Sequence, residues 1–428
     1  MVDVMIAAMP FHGHVAPMSA VARAFIAQGH TVRVYTGNAH AARFEELGAS
    51  VIRWQAAPDF DEQDLSATFP VLRGRKGPRQ MLANVEQVFV RTGSAQCADL
   101  LAAFDEHPWE VIVADGMSLG AHLAAERTST AWVTVSIVPL MVPTAELPPP
   151  GLGLRPARGA LGRVRDRLLH RVVALVGRPI NRAYQAERVR VGLAPNGLGF
   201  DAACTSPQLV CASGVRELEY PRDRPIEQVV HVGELIGPSS DDRRVPGRWE
   251  ALERDGAPIV HVTQGTLNVD PHDLIEPSFS ALGRQPVRIV AATGRDGDDA
   301  LPFPAPPNAS VADFVPYDRL LPRTDTMITN GGWGGVLAAL AHDVPLIIAG
   351  GDVDKPEIAA RVAYAGAGID LRTGRPKPRA ILRAWRAVSA DASFRTRAAR
   401  IGAALRAHDG PREVVEHTLD LLEARRSS

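Results

Sequence analysis

The chain has 428 residues, 46% apolar and 22% charged, with 47 basic side chains against 48 acidic ones for a net charge of −1. A single core stops growing at roughly 250–300 residues, so two domains are expected. A disordered or fibrous chain is excluded by this composition, and a polybasic nucleic-acid or membrane-surface protein would not be so evenly balanced.

From the N-terminus, Val2–Met9 is a short apolar run ending in Pro-Phe-His-Gly-His, and it reads as a buried parallel strand. Asp3, Pro10, His12 and His14 break any signal-peptide pattern, and no stretch approaches the ~20 apolar residues of a membrane span. A helix is expected over Pro17–Gln28, with Pro17 in its first turn. Strands follow at His30–Thr36, Ser50–Gln55, Glu110–Asp115 and Trp132–Val138, with helices over Ala39–Leu47 and about Leu119–Arg127. Pro143–Gly162, rich in Pro and Gly, is expected as a mobile loop.

After a strand at Val229–Gly233, Gly237–Gly247 has linker composition. A second series follows: Ile259–Thr263, Val287–Thr293, Ser310–Val315, Thr326–Thr329, Pro345–Ala349 and Gly368–Leu371, then a helical tail over Arg379–Arg426. Strands alternating with helices give an α/β chain of two doubly wound parallel sheets. The expected division is an N-terminal domain over 1–236, a linker over 237–257, a C-terminal domain over 258–410, and a last helix over 411–428 crossing back to the first domain. Cys97, Cys204 and Cys211 are odd in number and lack CxxC spacing, which points to reduced thiols, no thiolate metal site and a cytoplasmic protein.

Ligands in such sheets bind at the carboxyl ends of the strands. Thr329-Asn330-Gly331-Gly332-Trp333-Gly334-Gly335 lies between a strand and a helix, and its glycines let backbone N–H groups approach an anion. A close helix–sheet turn is the plain alternative. His14 ends the first strand and Asp115 another strand of the same sheet; an aspartate on one ring nitrogen leaves the other as a general base. Gly116-Met117-Ser118-Leu119-Gly120 matches a hydrolase nucleophile elbow, which would make Ser118 an esterase serine but leave the second half unexplained. Asp352-Val353-Asp354 matches an acidic metal–nucleotide motif without an evident third ligand.

Taken together, these landmarks resemble the family 1 glycosyltransferases of the GT-B fold, two Rossmann-like domains facing across a cleft, especially bacterial enzymes acting on macrolides, other polyketides and glycolipids. Phe11–Pro17 resembles the segment carrying that family's catalytic histidine, here His14, and Asp115 its orienting aspartate. Gln264–Thr266 resembles the diphosphate turn, with Thr266 as its hydroxyl. Phe314 and Val315 fall on the segment that stacks on and holds the nucleotide base, Asn330–Gly335 on the diphosphate loop, and Asp354-Lys355 on the pair that grips sugar hydroxyls.

Three positions depart from the pattern: Asn330 replaces a histidine, Ala338 a ribose-binding glutamate, and Lys355 a glutamine. Loss of the glutamate opens the site to a dTDP-sugar as well as a UDP-sugar. Lys355, one of only three lysines, either reaches the donor or pairs with Asp352 or Glu357. The resemblance implies a metal-independent, inverting transfer to a hydroxyl of a hydrophobic acceptor. Pro58–Val90 and Met141–Leu175, with Phe60, Phe69, Leu82, Phe89, Met141 and Leu147, are the expected acceptor-pocket segments. A nucleotide-sugar epimerase and a non-catalytic binding module are the remaining readings.

Overall fold

The computed structural model describes residues 1–75, 77–235, 256–265, 270–295 and 297–427. In the first half seven parallel strands, β1 (Asp3–Ala7), β2 (Thr31–Thr36), β3 (Ser50–Arg53), β4 (Val111–Asp115), β5 (Ala131–Ser136), β6 (Leu209–Ala212) and β7 (Val229–His231), lie in the order β3-β2-β1-β4-β5-β6-β7. The second half has six, β8 (Ile259–Thr263), β9 (Arg288–Ala292), β10 (Ala309–Ala312), β11 (Thr326–Thr329), β12 (Leu346–Ile348) and β13 (Gly368–Asp370), in the order β10-β9-β8-β11-β12-β13. Helices cover both faces of these sheets, so inner strands such as β4 and β8 are buried along their whole length.

In each sheet the order in which strands are added reverses once, between β1 and β4 and between β8 and β11. Loops part at such a switch point and leave a crevice beyond the strand ends. The residues after β1 and at the end of β4 include His14 and Asp115; those after β8 and β11 include Gln264 and Asn330. Topology alone therefore gathers both candidate clusters.

The first helix spans His12–Ala27, five residues earlier than expected, so Pro17 lies inside it and the two histidines occupy its first turn. The carbonyl that Pro17 leaves without its N–H partner belongs to Gly13, which has no side chain to crowd the ring. Strand β6, which the sequence reading lacked, is a four-residue run closing the gap between β5 and β7. The helical tail is three helices, Pro378–Ala390, Ser393–Leu405 and Gly410–Arg426. Val414, Val415 and Leu422 of the last join the core formed by Val2, Val21 and Leu209, so this helix packs on the N-terminal sheet.

Glu234 lies where the first half ends. Burial pushes its carboxyl up to about 7. Because the folded state holds this proton more tightly than the unfolded chain does, stability falls as pH rises from the ordinary carboxylate range, and the full loss is present above about pH 7. Glu234→Gln is expected to raise the melting temperature at pH 8, with the gain shrinking toward pH 5; a gain independent of pH would contradict this.

Candidate functional site

At the first switch point the Asp115 carboxylate is fully buried and saturated with donors. Its Oδ2 accepts from the Met9 N–H at 2.7 Å and the Ser118 hydroxyl at 3.0 Å, and its Oδ1 accepts from the Met117 N–H at 2.8 Å. His14 Nδ1 stands 3.0 Å from Oδ1, at ion-pair distance but off the line of an ideal hydrogen bond. Burial alone would push the Asp115 carboxyl up; the His14 ring and the Met9 and Met117 N–H groups outweigh it and hold the group below the usual carboxylate range. His14 is 17% exposed, so one face of the imidazole reaches the cleft while Asp115 anchors the other side.

Ser118 is not placed as a nucleophile. It is 2% exposed, its hydroxyl is spent on Asp115, and the helix Leu119–Thr128 begins directly after it. Among the described residues its hydroxyl donates to Asp115 and to no imidazole, so the elbow motif builds a buttress for the aspartate. The sequence offers Ser118 as the serine of an alternative esterase; its three-residue spacing from Asp115 is the signal for the role it takes instead.

An aromatic shelf adjoins the imidazole. Phe11 lies 5.5 Å from His14 and from Phe89, and 5.1 Å from Phe60, which meets Phe69 at 5.7 Å. Phe89 stacks at 23° to the His14 ring, 6.3 Å away, from a π-helical turn over Val85–Val90. Such turns recur at functional sites because they re-aim side chains. Phe60, Phe69 and Leu147 are buried; Leu82, Phe89 and Met141 are half-buried.

At the second switch point Gly331 has φ 95°, and a Cβ there would sit 2.8 Å from Ile348 Cγ2, so only glycine fits. The helix Trp333–Ala341 starts at once, with no side-chain cap on its first N–H groups. The Trp333 Nε1–H donates to the Ser213 hydroxyl at 2.9 Å, joining the two halves. Asn330 donates from Nδ2 to the Gln264 carbonyl, while its Oδ1 accepts from the Gly332 N–H at 3.3 Å. Its carboxamide thus ties the two strand-end turns together with one of the two Nδ2 hydrogens and with Oδ1, and the second Nδ2 hydrogen is left to donate. Thr266 lies outside the described residues.

Lys355 Nζ donates to Asp352 at 3.0 Å, the ion-pair alternative named above, yet its Cβ is near Gly331 and its side chain is only 13% exposed. Burial lifts the Asp354 carboxyl against the pull of the Lys355 and His14 charges. Phe314 and Val315 follow edge strand β10, with β9 and β8 between them and the glycine loop. Asp313 orders this turn by accepting from the Phe314 N–H at 2.7 Å and the Gly297 N–H at 3.1 Å. Among the described residues no three His, Cys, Asp or Glu side chains converge as a metal site.

Sequence reasoning missed a second crossing between the halves. Glu357, on the helix Lys355–Ala365 that Asp354 precedes, accepts from the Gly151 and Gly153 N–H groups at 3.2 Å each. One turn later Arg361, buried to 2%, meets Glu357, Glu219 and the Leu140 carbonyl and lies over the Tyr220 ring. The loop expected to be mobile is therefore fastened to the second half.

The C-terminal part, residues 281–421, matches the family model described as erythromycin biosynthesis protein CIII-like, C-terminal domain. Over 98% of both chains the protein is 38% identical to 4'-demethylrebeccamycin synthase of Lentzea aerocolonigenes. A solved glycotransferase of kitacinnamycin matches with a TM-score of 0.75 at 21% identity, covering 98% of this chain and 99% of that one. A spinosyn rhamnosyltransferase complexed with thymidine diphosphate matches with a TM-score of 0.71 at 20% identity, covering 98% and 100%. These two likenesses give the fold, GT-B.

Ser118→Ala is expected to lower kcat for the chain's own reaction about ten- to a hundredfold, the worth of one hydrogen bond to a charged, buried carboxylate. A chromogenic ester should not be hydrolysed by either form, and esterase activity lost with Ser118 would contradict the buttress role.

Proposed function

We propose a mechanism from the premise that this chain belongs to the family 1 glycosyltransferases of the natural-product type, enzymes that move a sugar to a hydrophobic acceptor. The acceptor hydroxyl lies on the aromatic shelf and donates to the exposed ring nitrogen of His14. His14 takes that proton as the oxygen attacks the anomeric carbon opposite the leaving diphosphate, and one displacement inverts the centre. Asp115 holds the ring tautomer and stabilises the imidazolium that forms. The His14–Asp115 contact of 3.0 Å is the observation that carries this reading.

The nucleotide sugar occupies the second half. Its diphosphate meets the first N–H groups of the helix at Trp333, Gly334 and Gly335, where the helix dipole favours negative charge. These backbone donors are joined by the second Nδ2 hydrogen of Asn330 and by Lys355 once it leaves Asp352. Phe314 stacks on the base, Val315 holds it through its backbone, Thr266 supplies a hydroxyl to the diphosphate, and Asp354 grips sugar hydroxyls. Fixed donors at the leaving group supply the electrostatic stabilisation without a metal.

Ala338, on the helix behind the loop, offers nothing to a ribose 2′-hydroxyl, and a structural neighbour carries thymidine diphosphate. Both favour a dTDP-sugar, with a UDP-sugar second. For the acceptor we favour a macrolide, ansamycin or other polyketide antibiotic over a glycolipid. No helix among the described residues is long and apolar enough to cross a membrane, and the three cysteines are free, in keeping with a cytoplasmic enzyme.

Thermal denaturation with UDP, dUDP, dTDP, GDP and ADP, without metal and then with Mg²⁺, tests the donor site. A ligand at 100 times its Kd stabilises by about 2.7 kcal/mol. A metal-independent shift with dTDP at least as large as with UDP is expected. No shift with any nucleotide would remove the donor site.

A further inference from the structure

The helix Gly159–Val176 does not behave as part of the core. Its single buried side chain is Asp166, which is 2% exposed and paired with Arg165 at 2.7 Å. His170 hydrogen-bonds the Leu147 carbonyl at 2.9 Å, and Gly162 passes close over Ala157, so a polar face docks the helix. On the far side Leu161, Val164, Leu168, Val172 and Leu175 are 88%, 49%, 54%, 53% and 57% exposed. At about 100° per residue these five fall within an arc of about 80°, a stripe about 21 Å long. Soluble proteins rarely leave such a continuous apolar stripe bare.

Charge decides what covers it. The helix carries four arginines, Arg163, Arg165, Arg167 and Arg171, against one acid, the buried Asp166. Arg163, Arg167 and Arg171 are exposed at i, i+4 and i+8, a row along one border of the stripe; exposed Arg158 and Arg178 stand beyond its two ends. A second copy packed stripe to stripe in an antiparallel two-fold pair would set this row against its own like. In a parallel pair the row would meet Arg165, and no exposed acid on the helix is available to neutralise it. The whole-chain charge of −1 conceals this local asymmetry. A convex apolar stripe bordered only by arginines has the pattern of a helix lying in the plane of an anionic lipid surface.

We propose that the helix Gly159–Val176 docks this enzyme on anionic membrane surfaces, its Leu and Val side chains entering the interface and its arginines meeting lipid phosphates. The same helix adjoins the loop that Glu357 fastens beside the donor half. Docking thus brings the acceptor entrance to the phase where a hydrophobic acceptor concentrates. Only this last consequence rests on the proposed acceptor class; lipid binding stands apart from the reaction.

Co-sedimentation of the full chain with vesicles tests it. Binding to phosphatidylcholine vesicles containing phosphatidylglycerol is expected, at least tenfold tighter than to phosphatidylcholine alone and weakened by salt. The pair Leu168→Glu and Val172→Glu, and separately the triple Arg163→Glu, Arg167→Glu and Arg171→Glu, should each lower that binding at least tenfold. Both should leave the melting temperature and the nucleotide-induced shift unchanged, since all five side chains are exposed. Failure of the wild type to bind these vesicles, or undiminished binding by either variant, would overturn the proposal. So would a dimer in sedimentation velocity that Leu168→Glu dissociates in a protein without vesicle affinity. Lipid-free protein whose stripe instead captures an acidic protein would overturn it equally. Loss of nucleotide binding would strike the donor reading and leave this one standing.

Discussion

The architecture of the site depends on one buried anion. Asp115 ends β4 with no solvent around it, and burial of a carboxylate is costly unless every lone pair is used. Met9, Met117 and Ser118 supply three donors from two different strand ends, and His14 supplies the fourth contact. The carboxylate therefore locks the end of β1 to the end of β4 and fixes the first turn of the helix that carries His14. A neutral side chain of the same shape would leave the Met9 and Met117 N–H groups facing a weaker acceptor and the imidazole without its counter-charge. Stability of the switch point and orientation of the ring are one requirement.

The second half meets the first through polar crossings of the same kind. Trp333 reaches Ser213 from the glycine loop, and the helix after Asp354 sends Glu357 and Arg361 into the loop and turn around Leu140, Gly151 and Glu219. Arg361 has few escapes, since a guanidinium at 2% exposure must keep its partners or bear an unpaired charge. The segments expected to handle the donor sugar are thus mechanically continuous with those expected to receive the acceptor.

Much of this was legible in the sequence because buried parallel strands read as unbroken apolar runs; Ile259–Thr263 and Thr326–Thr329 were bounded to the residue. His14 and Asp115 stood out because strand ends are where ligands bind. Pro17 misled the placement of the first helix, since proline usually marks a first turn and here sits in the second. The role of Ser118 needed the aspartate's geometry, as its motif also spells a hydrolase elbow. Arg361 was hidden among many arginines, and Glu357 carried no motif at all. The helix Gly159–Val176 escaped notice because its docking face is Gly162, Asp166 and His170, so its apolar period marks the solvent side and not a core.

The central claim is that His14, held by Asp115, is the base that activates the acceptor. Single-turnover kinetics of His14→Ala, with donor and acceptor saturating, tests it most directly. The account predicts a chemical step slowed by about 10²–10⁴, with nucleotide affinity unchanged because the donor groups lie in the other half. A chemical step within a few-fold of wild type would contradict it, and would move the base to another side chain in the cleft.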